Sequence, residues 1–310
     1  MVQDSGKVQS NRSQNVPYGG SGGAWDDSMA TVAATPLQAD TVYIWNLTYY
    51  TVGGGSAGAA AATASSTFGT GLYAESDWKG AEWIGGAMGQ FRQTFAVAKP
   101  VAVATAYVVG LGYYKLLVNG EKVSTNELGA FTTFTSRVYY DTVDCTAAIN
   151  AGVAGGGAAS QAVGIVLGDG WYSLKRKGSA SNPGSLAVDA GNPKLLFRLS
   201  LRYFDGTTQD VTSTTEWKYD AGPVTAADIY NGEAYNASLE TPGWGLPEYD
   251  AAHWPAATSE AAPSSFVRIT SHSILPPIRV TESFPACNMW ESSPGRSKSP
   301  LGHRDSAREH

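Results

Sequence analysis

Short segments in which apolar and polar residues alternate follow one another between Phe91 and Tyr172, among them FRQTFAV, VAVATAY and YYKLLV. A period of two predicts strands that bury one face. Glycines separate most of these segments, and Asn119-Gly120 favours the positive φ angles of a two-residue hairpin turn. No long amphipathic helical pattern lies between the strands, which disfavours a parallel α/β fold. We therefore predict an all-β fold, an antiparallel β-sandwich or jelly roll.

The alternating pattern continues further along the chain. In LLFRLSLRYFDG, leucines and aromatic residues alternate with arginine and serine, and Asp205-Gly206 predicts a turn after the strand. In the earlier segment VAVATAY we expect one strand face to hold four residues, Val101, Val103, Thr105 and Tyr107.

The two ends of the chain differ from this pattern. Residues 1–36 are rich in Gly, Ser, Asn and Gln, and residues 285–310 are polar with mixed charge, so we expect both to be disordered. TVYIWNLTYY predicts a strand within a small β-segment over residues 37–76. We expect the Ala-rich run that follows it, GGGSAGAAAATASS, to form a flexible loop rather than a helix, because its Gly, Ser and Thr residues disfavour helix.

Composition narrows the possible partners. The net charge is −6 and 15% of the residues are charged, whereas nucleic-acid binding relies on a basic surface that neutralises phosphates. No apolar run has the length of a membrane span, and the first thirty residues contain no apolar core of a signal peptide. We expect no nucleic acid and no membrane as partners, and the compartment stays open.

Aromatic and polar residues occur together in two places that suit carbohydrate contact. An aromatic face stacks on the C–H side of a sugar ring, while carboxylates and amides bond its hydroxyls. The candidate carbohydrate-binding residues are Trp171, Tyr172, Asn231, Glu233, Tyr235 and Asn236. The alternative is structural: Trp171 closes the core, and Glu233 bonds loop amides.

No residue pattern predicts a catalytic or metal site. Glycoside hydrolysis needs two carboxylates at a defined separation, and no spacing singles out a pair among Asp169, Asp228, Glu233, Glu240, Glu248 and Asp250. The four histidines, His253, His272, His303 and His310, do not cluster with other ligands, so zinc is unsupported. Calcium held by loop oxygens stays possible, although no DxDxDG-like ladder occurs. Cys145 is expected to be a small buried apolar side chain.

A family resemblance emerges from the motifs in their order. FGTGLYAESDWKGAEWIGG, FRQTFAV, AYVVGLGYYKLLVNGEKV, RVYYDTVDCT, VGIVLGDGWY, DIYNGEAYN and PPIRVTE together resemble the N-terminal, non-catalytic portion of α-L-rhamnosidases, glycoside hydrolase family seventy-eight. Each motif alone is weak, but their sequence is specific.

The resemblance implies a domain order. In that family a fibronectin-like β-domain precedes the sandwich, which in some members binds L-rhamnose with calcium. A linking β-sandwich follows, and then an (α/α)6 barrel carries two catalytic glutamates; we expect no counterpart of this barrel among these residues. The implied segments are a disordered leader over 1–36, a partial fibronectin III-like segment over 37–76, the rhamnosidase N-terminal sandwich over 77–265, the start of the linking domain over 266–284, and a disordered tail over 285–310.

Two departures from the family pattern affect what can be carried over. Family members commonly read Gly-Glu-X-Tyr-Asp-Ala-Arg where this chain has Asn236 and Ser238, so one negative and one positive charge are replaced. After Glu282 the sequence no longer resembles the family and becomes polar. No catalytic role transfers to Glu233 or to any other acid.

Three functions are consistent with these residues. The first is an accessory, sugar-contacting fragment of an α-L-rhamnosidase that is not itself catalytic. The second is a stand-alone, lectin-like module that binds L-rhamnose or glycans that contain it. The third is a structural domain whose aromatic residues pack against a barrel.

Overall fold

The fold was analysed in a computed structural model of the chain. The structure describes residues 37–53, 56–129, 131–153, 158–173, 191–229, 232–263, 268–272, 278–284, 290–293 and 296–298. The predicted leader over 1–36 and most of the predicted tail over 285–310 lie outside these ranges.

Strands dominate the described residues. In chain order they are β1 Val42–Gly53, β2 Ser56–Gly69, β3 Ile84–Gly85, β4 Gly89–Val97, β5 Val101–Leu111, β6 Tyr113–Val118, β7 Glu121–Lys122, β8 Arg137–Asp144, β9 Ala159–Gly168, β10 Lys194–Tyr203, β11 Thr208–Thr212, β12 Lys218–Asp220, β13 Val224–Asp228, β14 Gly232–Tyr235, β15 Thr258–Ser259, β16 Arg268–Ser271, β17 Trp290–Ser293 and β18 Arg296–Lys298. The helix α1 covers Thr146–Gly152, and two 3-10 turns cover Glu75–Trp78 and Ala237–Leu239.

Two larger sheets form a β-sandwich. A seven-stranded sheet has the order β15-β3-β10-β5-β8-β16, with β11 also paired to β10, and a five-stranded sheet has the order β12-β4-β9-β6-β7. Among the strand pairs of the described residues, all are antiparallel except β16 beside β8. The predicted all-β sandwich is confirmed. Three two-stranded ribbons accompany it: β1-β2, β13-β14 and β17-β18.

Alternation along β10 builds the core between these sheets. The residues predicted to share one face, from Leu195 and Phe197 to Tyr203, all belong to the main buried cluster. This cluster also takes Phe91 from β4 and Ile165 from β9, so both sheets contribute to it. A second buried cluster covers the opposite face of the seven-stranded sheet and contains Trp78, Trp83, Tyr107, Tyr140, Tyr172 and neighbouring aliphatic residues.

The prediction for the first residues of β5 is wrong in register. A β-bulge lies between the pairs Arg202↔Val103 and Tyr203↔Val101, so one extra residue reverses the alternation there. Val101 is therefore buried in the main core, whereas Tyr107 lies on the opposite face. The helix α1 binds this irregular main chain: Asn150 Oδ1 accepts from the amide of Val101 at 2.8 Å, and Asn150 Nδ2 donates to the carbonyl of Val101 at 3.0 Å.

The Ala-rich run was predicted to be a flexible loop, and this is also wrong. Residues 56–69 form β2, which pairs antiparallel with β1 from Val42↔Gly69 to Gly53↔Ser56. Main-chain hydrogen bonds to β1 stabilise this strand, although small side chains such as alanine favour strands only weakly. By contrast, the Asn119-Gly120 hairpin is confirmed: φ is 51° at Asn119 and 84° at Gly120, and Val118 pairs with Glu121.

Two observations bear on the segment boundaries, which stay predictions. β16, in the segment assigned to the linking domain, pairs with β8 and so belongs to the seven-stranded sheet of the sandwich. Within the predicted tail, β17 and β18 pair with each other.

Asp40 attaches the segment before β1 to the outer face of the seven-stranded sheet. Its carboxylate forms ion pairs with Arg198 at 2.8 Å and Arg202 at 3.1 Å. It also accepts hydrogen bonds from the hydroxyls of Tyr107 at 2.7 Å and Ser200 at 2.9 Å. Burial, with the charge of Asp40 second, raises the pKa of Tyr107. The arginines of β10 that alternate with its core residues therefore share one carboxylate.

Replacing the buried Phe197 tests the sandwich core. Phe197 is 0% exposed and Phe204 is 78% exposed on the following turn. Phe197→Ala should lower the free energy of unfolding by about 3–5 kcal/mol because it leaves a cavity. Phe204→Ala should change it by less than about 0.5 kcal/mol. Urea unfolding followed by tryptophan fluorescence measures both, and equal losses would contradict the described core.

Asp40 provides a second test. Asp40→Asn keeps the shape but removes the charge that Arg198 and Arg202 share, while Arg198 keeps its ion pair with Asp210 at 2.7 Å. The free energy of unfolding should fall by about 3 kcal/mol, the lower end of the range for broken buried pairs. Asp205→Asn is the matched control, since Asp205 pairs with Lys99 on the surface and its loss should have a much smaller effect. If the two variants unfold at the same urea concentration, the Asp40 contacts do not stabilise the fold.

Candidate functional site

The turn after β9 places Trp171 at one end of the sandwich. Gly170 has φ +57°, and a Cβ atom there would lie 2.6 Å from the amide nitrogen of Tyr113. Only glycine fits this close approach. The amide of Gly170 donates to the carbonyl of Ala227 at 2.9 Å, and Gly170 bridges to Asp228 of β13. The turn is thus joined to both β6 and β13.

Four aromatic residues, Phe131, Phe134, Trp171 and Tyr172, form an aromatic cluster at this end. The Trp171 ring meets Phe131 edge-on at 5.3 Å, Phe131 meets Phe134 at 6.0 Å, and Phe134 meets Tyr172 at 5.3 Å. Phe131 is 40% exposed, Trp171 is partly exposed, and Tyr172 is 5% exposed. The indole of Trp171 therefore lies at one end of this series of rings, beside the exposed Phe131, and the buried Tyr172 lies at the other end.

The structure places Trp171 and Tyr172, which were predicted as one carbohydrate-binding group, in different environments. Tyr172 packs into the buried cluster on the outer face of the seven-stranded sheet, so little of its ring is available to a ligand. Trp171 keeps the accessible position. Phe131 and Phe134 were missed by the sequence reasoning, and the signal that could have found them is their spacing in FTTF directly before β8.

Acidic residues lie beside this turn. Asp169 precedes Gly170, and Asp228 ends β13 opposite Gly232 of β14. Close by, the hydroxyl of Tyr113 is buried without a hydrogen-bond partner among the described residues. Burial, and secondly the charge of Asp228, raises the pKa of Tyr113 to about 12. Aromatic surface and carboxylates are thus brought together at one end of the fold.

The second candidate group lies on the β13-β14 ribbon. Glu233 pairs with Ala227, whose carbonyl accepts from Gly170, so this ribbon is adjacent to the Trp171 turn. Tyr235 is 54% exposed, and its hydroxyl donates to Glu240 at 2.6 Å. The side chain of Asn236 accepts from the amide of Ser238 at 3.1 Å and from its hydroxyl at 2.8 Å. Asn231 lies outside the described residues.

Where the family pattern has Asp and Arg, Asn236 and Ser238 bond each other. The side-chain oxygen of Asn236 therefore caps the short 3-10 turn Ala237–Leu239. Among the predicted residues, Glu233 is exposed and lies nearest in the ribbon to the Trp171 turn.

The histidines and acids are dispersed. Within the described ranges, no group of three or more His, Cys, Asp or Glu side chains could hold a metal ion. Glu248 and Asp250 lie exposed on a loop against the five-stranded sheet, and His253 meets Tyr249 and Trp254 there. His303 and His310 fall outside the part of the chain that the structure describes.

His272 is buried in a polar cluster that the sequence did not predict. Its Nδ1 lies 2.7 Å from Asp141. Asp141 also accepts from the hydroxyl of Tyr114 and from Asn126, at 3.2 Å for Asn126. Burial, followed by the charge of Asp141, raises the pKa of Tyr114. Because His272 directly follows β16, these contacts attach β16 to the sandwich.

No helix in the described ranges is long and apolar enough to cross a membrane.

The Tyr113 hydroxyl gives a pH-dependent test. Below about pH 10 the phenol is protonated in the folded and unfolded chains alike. Between that pH and about 12 the unfolded chain loses the proton while the folded chain keeps it, so the wild-type free energy of unfolding should fall with pH relative to Tyr113→Phe.

Urea titrations at several alkaline pH values measure this difference. Tyr73→Phe, at a side chain that is 61% exposed, is the control for phenol loss in general. A constant difference between wild type and Tyr113→Phe would show that Tyr113 is not held in its neutral form.

The two large sheets, with the aromatic cluster at one end of them, define an antiparallel β-sandwich domain. Residues 99–282, more than half of the chain, match the family model described as Alpha-L-rhamnosidase N-terminal domain. The chain belongs to this family, as the motif order indicated.

Similar proteins support the assignment. An Alpha-L-rhamnosidase of Formosa agariphila is 28% identical over 325 residues, which cover 95% of this chain and 31% of that protein. An Alpha-L-rhamnosidase of Streptomyces avermitilis is 30% identical over 229 residues, 70% of this chain and 20% of that protein. The chain thus spans less than a third of the length of these relatives.

Solved structures support the same family assignment. The structure of an alpha-L-rhamnosidase from Dictyoglumus thermophilum has a TM-score of 0.66 at 27% identity, over 84% of this chain and 29% of that one. The Streptomyces avermitilis alpha-L-rhamnosidase complexed with L-rhamnose has a TM-score of 0.55 at 30% identity, over 68% of this chain and 19% of that one.

Proposed function

We propose that this chain is the accessory, carbohydrate-contacting β-sandwich of an α-L-rhamnosidase. It contacts L-rhamnose or glycans that contain it, and it does not itself cleave the glycosidic bond. The family assignment supports the enzyme class, and the L-rhamnose bound by the Streptomyces avermitilis relative supports the choice of sugar.

The observation that carries the proposal is the position of Trp171. Its partly exposed indole lies beside the exposed Phe131, and Asp169 precedes it by two residues in the same turn. A deoxyhexose offers a C–H face and a methyl group to aromatic rings, and it offers hydroxyls to carboxylates. Glu233 on the adjacent ribbon is a further hydrogen-bond acceptor for such a ligand.

The distribution of acids supports an accessory role. Hydrolysis by paired carboxylates needs two acids that face one another across the scissile bond, at about 5–9.5 Å. Glu240 bonds Tyr235 on the ribbon, and Asp250 lies against the other sheet with Glu248. We therefore assign no catalytic residue to this chain.

The described acidic residues do not form a complete calcium site. Calcium takes six to eight oxygen ligands, and the described carboxylates do not cluster in threes. Asp169 and Asp228 alone do not make such a ligand set.

Calorimetry with L-rhamnose tests the sugar contact, with and without added calcium. We expect heat of binding at millimolar sugar, and Trp171→Ala should weaken affinity about two- to tenfold because it removes the stacking face. Phe204→Ala, at the far end of β10, should bind as wild type. The proposal fails if no heat appears, or if both variants lose binding equally.

An aryl α-L-rhamnoside tests the absence of cleavage. The expected result is no turnover by the purified chain. Turnover that is lost when an acid of this chain, such as Glu233, becomes an amide would contradict the accessory role.

A further inference from the structure

A loop over residues 240–257 covers the outer face of the five-stranded sheet. Trp244 lies directly on β9, since a Cβ at Gly164 would be 2.8 Å from its ring. Trp244 stacks on Trp254 at 6.1 Å, and Tyr249 meets Trp254 at 5.7 Å. Between this loop and the strands β4 and β12 lies a cleft of about 280 Å³. This cleft is on the opposite side of the sandwich from the buried cluster that contains Tyr172.

Arg92 of β4 forms the inner wall of the cleft. The residue is 4% exposed, and its guanidinium donates to the carbonyls of Leu246 at 2.8 Å and Tyr249 at 3.2 Å. It also lies over the Tyr249 ring at 5.4 Å. Its Nε has no hydrogen-bond partner among the described residues.

The charge of Arg92 is not paired. No ion pair in the described part of the chain includes it. Burial lowers its pKa, and electrostatic interactions with Tyr249 and Asp250 act in the opposite direction. A buried cation normally has a carboxylate partner, because desolvation is otherwise costly. The unpaired guanidinium therefore favours an anionic ligand.

The outer part of the cleft adds polar groups of both signs. Lys218 of β12 is half-buried and also forms no ion pair among the described residues, while Glu216 and Asp250 are exposed at the rim. Thr94, which lies on the same side of β4 as Arg92, supplies a hydroxyl that can bond a ligand hydroxyl. The cations thus lie deeper than the acids.

We propose that this cleft binds one acidic sugar residue, a hexuronate, with its carboxylate toward Arg92 and Lys218 and its hydroxyls toward Thr94 and the rim acids. Pockets for drug-sized ligands begin at about 300 Å³, so a cleft of about 280 Å³ suits a single sugar ring. The Tyr249 ring provides an aromatic wall for it. The site is separate from the aromatic cluster, and it extends the proposed carbohydrate contact to a second, charged residue of a glycan.

The experiment follows the ¹⁵Nε–H signal of Arg92 by NMR in the full chain, with sodium glucuronate, glucose and sodium acetate as probes. Disappearance of the signal in Arg92→Lys assigns it. Glucuronate should shift this signal with millimolar affinity, while glucose and acetate should bind at least tenfold more weakly. Two rim variants act in opposite directions: Lys218→Gln should weaken glucuronate binding about fivefold, and Glu216→Gln should maintain or strengthen it.

Each outcome decides the proposal. A glucuronate shift at Arg92 that is weakened by Lys218→Gln supports it. No shift at Arg92 would mean that the guanidinium only fixes the loop carbonyls. Equal binding of acetate would contradict it, since the site would then bind a carboxylate without recognising a sugar, and equal binding of glucose would contradict it by excluding the acidic class. Because Trp171→Ala should leave glucuronate binding unchanged, failure here is distinguishable from failure at the aromatic cluster.

Discussion

The antiparallel pairing of β5 with β10 is the interaction on which the rest of the structure depends. It runs from Lys194↔Leu111 to Tyr203↔Val101, the whole length of both strands. Its inward face supplies the core shared by the two sheets, and its outward face carries Arg198, which binds Asp40. The end of β5 leads directly to Tyr113 and the Trp171 turn. Core, N-terminal attachment and candidate site are therefore all positioned by one strand pair.

Local pattern predicts the fold where side chains alternate strictly. The alternation in β10 and the Asn119-Gly120 turn were read correctly because each depends on neighbouring residues alone. The bulge at Val101 was not, since its main-chain groups are bonded by Asn150, which is 49 residues away. The Ala-rich strand β2 was missed for a related reason: its order comes from pairing with β1, and alanine side chains carry little strand signal.

The candidate site was predictable in part. The Gly-Trp-Tyr sequence identified the turn, but it could not show that Tyr172 points into the core while Trp171 stays accessible. Phe131 lies 40 residues before Trp171, so their contact depends on the tertiary fold. The same holds for Arg92, whose partners are carbonyls 154 and 157 residues further along the chain. Residue types suggest that such contacts are possible, but only the packed tertiary structure shows which residues make them.

The parallel strand β16 has a consequence for how copies of this protein behave together. Without it, β8 would be the last strand of the seven-stranded sheet, and its free amides and carbonyls would invite pairing with another molecule. β16 covers this edge between Arg137 and Tyr140, and the Asp141–His272 contact holds it there. An edge strand of four residues thus takes the place of one of eight, and such short edge strands limit association between copies of a protein.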